Sequence, residues 1–200
     1  MTPRIGTVVR TTDPAHLAVI AHSGLDWVML DGEDPSVGLP EIASMLGVIA
    51  GAIPCYVRIP SPDATRVHHA LAHGAHGIIV PNVDTAAQAE ESVRLVRTSA
   101  WPSAKIVVQA ESGDAVRHIE RIAAVPGLEW ILIGPNDLSK SLGIPGQLQA
   151  PEFDAAVRAI EAGCRAASVP VGIFGMTAEA VAPYRSRGHA WLLIGINQPA

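Results

Sequence analysis

Two carboxylates, Glu111 and Asp137, each follow a short apolar run that the sequence predicts to be a strand. Glu111 closes the run that begins at Lys105, and Asp137 comes shortly after residues 130–133, where Gly134 and Pro135 end the strand. Either acid alone would be explained as a helix cap or a solvated loop residue. Together, at the ends of two consecutive strands, they offer the oxygen ligands that hard divalent cations prefer, so we predict a metal site.

A cycle of apolar run, loop and helical pattern recurs along the chain. The runs are mostly apolar throughout, which is typical of parallel strands covered by helices. The eight predicted strands are residues 5–9, 27–30, 55–58, 77–80, 105–109, 130–133, 170–173 and 191–194. Helix start and stop signals between them predict seven helices, including one after the capping box that Thr85 forms with Gln88.

The count of eight strands favours a (β/α)8 TIM barrel over an open doubly wound sheet. We expect a single domain over residues 1–200, shortened relative to the ~250 residues typical of this fold. The sequence stops soon after the eighth strand, so we expect the usual last helix to be lacking. The apolar residues 191–194 would then be left bare, and we expect a homo-oligomer that covers them.

Composition narrows the class of protein. Apolar residues make up 48% of the chain and charged residues 16%, which is enough to bury a sizeable core. The net charge is −5 without a basic run, which argues against nucleic acid and against a membrane surface. There is no membrane-length apolar stretch, the start is no signal peptide, and Cys55 and Cys164 form no disulfide or zinc pattern. We therefore expect a cytoplasmic protein.

Barrel enzymes place their active groups at the C-terminal ends of the strands. Besides the two acids above, those ends contribute Asp31, Glu33, Asp34, Arg58, Asn82, Gln109, Phe174 and Asn197. A cation beside Arg58 and Gln109 would suit a small 2-oxo acid, with Arg58 balancing the charge that develops as an enolate forms. Arg58 could instead make a structural ion pair. No lysine is expected at a strand end, which argues against Schiff-base chemistry.

The residues at these positions resemble the HpcH/HpaI aldolase family, class II pyruvate aldolases related to the citrate lyase β-subunit. The resemblance spans nearly the whole chain. It is carried by GLDWVMLDGE at 24–33, VRIPSPD at 57–63, GIIVP at 77–81, VQAE at 108–111 and, most specifically, IGPNDLS at 133–139.

The resemblance implies a Mg²⁺ or Mn²⁺ ion held by Glu111 and Asp137, with another divalent ion as the alternative. It implies that Arg58, Gln109 and the backbone near Gly134 and Pro135 hold pyruvate or another 2-oxo acid. The reaction implied is reversible aldol cleavage, which releases an aldehyde and a pyruvate enolate.

Two features depart from the family pattern. Asp34 stands where the family usually has a histidine that pairs with the preceding aspartate, here Asp31, as acid and base, and the segment before the fifth strand is short. We expect Asp31 and Asp34 to support slow aldol chemistry with an altered pH profile. The alternatives are that Asp34 caps a turn at Pro35, that the barrel binds metal and a 2-oxo acid without turnover, and that it is an acyl-CoA lyase of the citrate lyase β type.

Overall fold

The computed structural model describes residues 2–195, which form a closed barrel of eight parallel strands in sequence order. The strands are β1 (Arg4–Val9), β2 (Trp27–Asp31), β3 (Cys55–Arg58), β4 (Gly77–Val80), β5 (Lys105–Ala110), β6 (Trp130–Ile133), β7 (Val171–Gly175) and β8 (Trp191–Ile194). The barrel closes where β1 pairs with β8, with Thr7 opposite Ile194. The predicted (β/α)8 fold is therefore confirmed, although β7 runs two residues further than predicted.

Eight helices lie within the described part of the chain. They are α1 (Pro14–Ala21), α2 (Leu39–Ile49), α3 (Ala64–Ala72), α4 (Ala86–Arg97), α5 (Gly113–Ala123), α6 (Pro135–Ser141), α7 (Pro151–Ala166) and α8 (Ala178–Ser186). The seven predicted helices are confirmed, and the capping box of Thr85 and Gln88 starts α4. The count of seven was wrong because α6 follows β6 directly, at a position predicted to be a loop.

Alternation along each strand produces two separate cores. On β5, Ile106 and Val108 pack outward against the helices, whereas Val107 points into the barrel. Gln109 is two residues after Val107 and therefore points to the same side of the strand. Glu111, two residues further on and just beyond the strand, follows the same alternation. The same apolar strand thus delivers two polar side chains to its C-terminal end.

The N-terminal end of the barrel is filled by an aromatic plug formed by Trp27, Tyr56, Trp130 and Trp191. Trp130 stacks on Trp191 with ring centroids 4.8 Å apart, and Trp27 meets Trp130 edge to face at 5.2 Å. Gly6 is required beside this plug, because a Cβ at that position would clash with the indole of Trp27. The plug closes one end of the barrel and leaves the other end free for a pocket.

The predicted bare apolar run at the eighth strand is wrong for most of its residues. Trp191, Leu192 and Leu193 are all buried, because alternate residues face the plug and the helical layer, and only Ile194 is partly exposed. The expected lack of a last helix, and Asn197, concern residues 196–200, which lie outside the described residues. None of the helices described between residues 2 and 195 is long and apolar enough to cross a membrane.

Candidate functional site

A pocket of about 150 Å³ opens at the C-terminal ends of the strands. Val8, Met29, Leu132, Leu193 and Phe174 supply its apolar surface. Its polar surface consists of Arg10, Arg58, Gln109, Glu111, Asn136 and Asp137, together with Gly134 and Pro135. Of the residues predicted for the site, Arg58, Gln109, Glu111, Gly134, Pro135 and Asp137 are brought together here.

Glu111 is the most deeply buried acid of the pocket, with 4% of its surface exposed. Its Oε1 accepts the backbone N–H of Asn82 at 2.9 Å, and its Oε2 accepts Nε2 of Gln109 at 3.0 Å. Asn82 has a φ of 53°, a left-handed conformation that asparagine adopts more readily than most residues. Burial raises the pKa of Glu111 to about 7, and the nearby charges of Asp137 and Glu33 act in the same direction against the Asn82 hydrogen bond.

Asp137 lies in the first turn of α6, where Gly134 is the N-cap and Pro135 the first helical residue. Its carboxylate is more than half exposed, and Oδ1 accepts Nζ of Lys140 at 2.9 Å. A Cβ at position 134 would clash with the Glu111 carboxylate, so the glycine lets the start of α6 approach Glu111 closely. The Gly-Pro-Asn-Asp sequence therefore sets a second carboxylate into the pocket beside the first.

The donors present fit a small hard cation. Glu111 makes no ion pair among the described residues, and its pKa is raised first by burial and further by the negative charges of Asp137 and Glu33. A divalent cation between Glu111 and Asp137 would offset this charge. Within residues 2–195 no cluster of three histidine, cysteine or acidic side chains forms a protein cage. The two carboxylates match a Mg²⁺-like ion that takes one or two protein ligands and completes its shell with substrate and water.

Asp31, which is 1% exposed, is held between two arginines. Its Oδ1 accepts Nε and Nη2 of Arg58 at 2.8 and 2.7 Å, and its Oδ2 accepts Nε of Arg10 at 2.8 Å. Arg58 also reaches Oε2 of Glu33 at 2.9 Å and Oε1 of Gln109 at 3.4 Å through Nη1. This ion-pair network orients the Arg58 guanidinium towards the pocket from beneath its rim.

Arg10 is a pocket residue that the sequence reasoning missed. It comes directly after β1 and lines the pocket, with half of its side chain exposed. Among the residues described, Arg10 and Arg58 both lie at the C-terminal ends of strands and line the pocket, whereas the sequence analysis expected Arg58 there and did not include Arg10. The signal was available, because Arg10 follows the predicted strand at residues 5–9 as directly as Asp31 follows the strand at 27–30.

Asp34 stands apart from the surfaces that line the pocket. Its Oδ1 accepts the backbone N–H of Ser36 at 2.9 Å and the Ser36 hydroxyl at 2.6 Å, an arrangement typical of a turn cap. These two hydrogen bonds lower the pKa of Asp34. Glu33, the other acid in the loop after β2, has a raised pKa, because burial outweighs the charge of Arg58. The geometry therefore favours the turn-cap alternative for Asp34.

Comparison with known protein families gives a match over most of the chain. The profile described as "HpcH/HpaI aldolase/citrate lyase" matches residues 4–198. A 4-hydroxy-2-oxovalerate aldolase from Rhodococcus jostii is 31% identical, over 97% of this chain and 85% of that protein. A hydroxypyruvate/pyruvate aldolase from Paraburkholderia phytofirmans is 28% identical, over 98% of this chain and 87% of that protein.

Solved structures show the same architecture. The crystal structure of an HpcH/HpaI aldolase/citrate lyase family protein from Burkholderia cenocepacia aligns with a TM-score of 0.90 and 28% identity, covering 98% of this chain and 88% of that one. That of an HpcH/HpaI aldolase from Desulfitobacterium hafniense aligns with a TM-score of 0.91 and 27% identity, covering 98% and 87%. The likeness therefore extends over the whole barrel.

Proposed function

The chain belongs to the HpcH/HpaI aldolase/citrate lyase family and is a carbon–carbon lyase of the aldolase type, and we propose that it cleaves and forms 4-hydroxy-2-oxo acids with the help of a divalent cation. The substrates are a small 2-oxo acid, pyruvate above all, and an aldehyde. The observation that carries the proposal is the pairing of buried Glu111 with Asp137 in one pocket beside Arg58 and Gln109.

Glu111 and Asp137 are the residues that would hold Mg²⁺ or Mn²⁺. When bound, such a cation supplies Lewis-acid polarisation of the 2-oxo group. Arg58 is positioned by Asp31, and it and Gln109 would bind oxygen atoms of the 2-oxo acid, with the backbone at Gly134 and Pro135 closing the other side. The apolar surface of Met29, Leu132 and Leu193 below them excludes water from the methyl end of pyruvate.

Cleavage breaks the C3–C4 bond of the 4-hydroxy-2-oxo acid. The 4-hydroxyl proton leaves, C4 becomes the aldehyde carbon, and the electron pair of the broken bond stays on the pyruvate part, which then takes a proton at C3. A carboxylate of the loop after β2 is the proposed proton carrier. The raised pKa of Glu33 supports that residue, and Asp34, with Asp31 behind it, is the other candidate.

A second candidate function is binding of metal and 2-oxo acid without turnover. The observation that favours it is that Asp34 is tied to Ser36 and has a lowered pKa, which makes it a weak base at neutral pH. Under this candidate the pocket would keep its affinity for pyruvate but would not move a proton.

An assay of pyruvate enolisation distinguishes the two candidate functions, turnover and binding without turnover. We expect exchange of the pyruvate methyl protons for deuterium, and decarboxylation of oxaloacetate, that depend on added Mg²⁺ or Mn²⁺ and stop on chelation. Both reactions are followed by NMR and need no knowledge of the aldehyde. Calorimetric binding of pyruvate without either reaction would support the second candidate and contradict the first.

We further propose that the protein works in the cytoplasm and self-associates. Both cysteines, Cys55 and Cys164, are free and buried, which suits a reducing compartment. On α1, Val19 is 70% exposed, and a contact with another subunit would cover it. Light scattering at low micromolar concentration tests this, and a monodisperse monomer would contradict it.

A further inference from the structure

Two successive backbone N–H groups of the loop after β4 face the end of β5. The N–H of Asn82 donates to Oε1 of Glu111 at 2.9 Å, and the N–H of Val83 donates to the carbonyl oxygen of Gln109 at 3.2 Å. Successive N–H groups of an extended strand point to opposite sides, so this arrangement needs a local turn of the backbone. Asn82 supplies the turn with its φ of 53°, in the left-handed region. Both N–H groups are thereby directed at the segment that carries Glu111.

Asp84 holds the other end of the same loop. Its carboxylate accepts a hydrogen bond from the hydroxyl of Ser112, which follows Glu111 directly in the chain. Its carbonyl oxygen lies 2.9 Å from Nδ1 of His118 on α5, and because a carbonyl oxygen can only accept, His118 donates. We call residues 82–84 the β4 clasp. Its hydrogen bonds reach residues on both sides of Glu111 as well as the Glu111 carboxylate itself.

The side chain of Asn82 has no comparable part in the β4 clasp. Asn82 is exposed, and among residues 2–195 its side-chain amide makes no hydrogen bond. It therefore contributes through the conformation of its backbone, which glycine adopts readily and a β-branched residue adopts only with strain. Asp84 contributes through its side chain, whose oxygen bonds Ser112.

The β4 clasp fixes the direction of the Glu111 carboxylate and leaves it able to bind a cation. A carboxylate has about four acceptor sites, and here one on Oε1 is used by Asn82 and one on Oε2 by Gln109. A donor on each oxygen fixes the plane of the carboxylate, while the remaining acceptor sites stay free. Groups that hydrogen-bond a metal ligand in this way typically contribute about 10–100-fold to metal affinity.

We propose that Asn82 and Asp84 are positioning residues, which hold the Glu111 carboxylate in the orientation that binds the divalent cation. This inference rests on the proposed function, because it gives the β4 clasp a role in forming the proposed cation site. Neither residue contacts the cation or the substrate in this role, and both act through Glu111. A purely structural clasp would change the melting temperature and leave the affinity for Mn²⁺ unchanged.

Calorimetric titration with Mn²⁺ tests the role of Asn82. Asn82→Val places a β-branched residue at a positive φ, so the turn should be lost and the affinity should fall about 10–100-fold. Asn82→Gly keeps the N–H and adopts the same φ without strain, so its affinity should stay within about threefold of wild type. Ser168→Val is the matched control, because exposed Ser168 has a φ of 58° in the turn between α7 and β7. It should lower the melting temperature about as much as Asn82→Val and bind Mn²⁺ like wild type.

Two variants that both remove the charge test the role of Asp84. Asp84→Ala removes the acceptor of the Ser112 hydroxyl, so the affinity for Mn²⁺ should fall about tenfold. Asp84→Asn keeps an oxygen acceptor at the same place, so its affinity should stay within about threefold of wild type. Equal losses in the two variants would mean that Asp84 acts through its charge rather than through Ser112, and would overturn its positioning role.

Glu111→Gln shows how failure of the inference differs from failure of the proposed function. If this variant loses Mn²⁺ binding while Asn82→Val and Asp84→Ala keep wild-type affinity, the inference alone is overturned. If the wild-type protein binds no Mn²⁺, the proposed cation site is overturned and the role of the β4 clasp with it. If the two clasp variants lose affinity as expected but wild type shows no exchange of pyruvate protons, turnover is overturned and the inference stands.

Discussion

Trp130 and Gln109 both point into the barrel, yet they lie at opposite ends of it and their surroundings differ in almost every respect. Trp130 is fully buried among the other rings of the aromatic plug and stacks on Trp191. Gln109 lies among charges, donating to Glu111 and accepting from Arg58. The plug gains free energy from apolar contact, whereas the rim keeps a buried carboxylate whose pKa is raised to about 7.

The plug at one end of the barrel stabilises the fold, whereas the candidate site lies at the other end. A buried acid with a raised pKa lowers the stability of the folded state at neutral pH relative to a neutral side chain, so its presence indicates a functional site. Changes at the rim should therefore remove activity and keep the fold, and changes in the plug should do the reverse.

The largest effect is expected at the two rim carboxylates. Glu111→Gln and Asp137→Asn keep size but remove a charged ligand, so the affinity for Mn²⁺ should fall by more than about 100-fold, beyond the ~10–100-fold typical of outer-shell partners. Aldolase kcat/KM should fall at least as far, while the melting temperature holds. Calorimetric titration with Mn²⁺ measures the affinity.

A matched control exists on α5, where Asp114 pairs with Arg117 three residues on, as Asp137 does with Lys140. Asp114→Asn should bind Mn²⁺ like wild type. Wild-type affinity in both rim variants would remove the proposed site, and a loss in only one would mean that the other ligand is misassigned.

The plug should show the opposite pattern. Trp130→Ala leaves a cavity in the barrel interior and should lower the free energy of unfolding by about 3–5 kcal/mol. That corresponds to a fall in melting temperature of roughly 6–20 °C. Well below the transition temperature, Mn²⁺ affinity should stay within about threefold of wild type, because the plug lies at the opposite end of the barrel from the proposed ligands Glu111 and Asp137.

The control is Trp101→Ala, which removes a tryptophan that is only partly buried, beside His68 on the outside of the barrel. Its loss of stability should be the smaller one. If Trp130→Ala instead abolished Mn²⁺ binding in a folded protein, the two ends of the barrel would be coupled rather than independent.

The sequence predicted the strands well because each is a short apolar run between turn residues, and residues 55–58, 77–80, 130–133 and 191–194 have the predicted bounds. It was less successful where two signals overlap. Gly134-Pro135 was taken to end a strand, and the same pair also starts α6.

The site was predictable in its residue types and less so in its connections. Parity along β5 correctly sends Gln109 and Glu111 to one side. No local pattern reveals that Asp31 bridges Arg10 and Arg58, since Asp31 and Arg58 end β2 and β3 and Arg10 follows β1. The role of Asp34 was equally hard to predict. Its hydrogen bonds to Ser36 favour a turn cap over a catalytic base, and these bonds are seen in the structure rather than in the residue types.

A third prediction concerns a cluster of ionisable side chains, His189, Glu161 and Arg187, near the start of β8. His189 precedes β8 and is fully buried, and its Nε2 lies 2.7 Å from Oε1 of Glu161, which also pairs with Arg187. Burial lowers the pKa of His189 despite Glu161, and its Nδ1 has no partner among the described residues. Protonation would create a buried, unpaired N–H.

Because the folded pKa lies below the unfolded value near 6.5, the unfolded state binds more protons as the pH falls through this range. The contribution of neutral His189 to the free energy of unfolding is therefore fully present above about pH 6.5 and is lost as the pH falls through the folded pKa. The loss is at most about 1.4 kcal/mol per pH unit for one proton. Urea unfolding between pH 7.5 and 5 should show a shallower pH dependence for His189→Gln. Exposed His22 is the control, and a His22→Gln variant with the same change would contradict the assignment.

The smallest effect is expected at Asp34, and it tests which acid of the loop after β2 moves the proton. The Asp34 carboxylate caps the turn at Ser36 and has a lowered pKa, so Asp34→Ala should keep kcat/KM within about threefold at every pH. Glu33→Gln removes an acid whose pKa is raised by burial and which contacts Arg58, and should lower kcat/KM by about 100-fold, the scale of a lost general base. The measurement is kcat/KM against pH for both variants, with Asp34→Asn as a control that retains a turn-forming side chain. If Asp34→Ala and Asp34→Asn both lose more than tenfold while Glu33→Gln does not, Asp34 carries the proton, and the position that resembles the family's histidine has kept its role with a carboxylate.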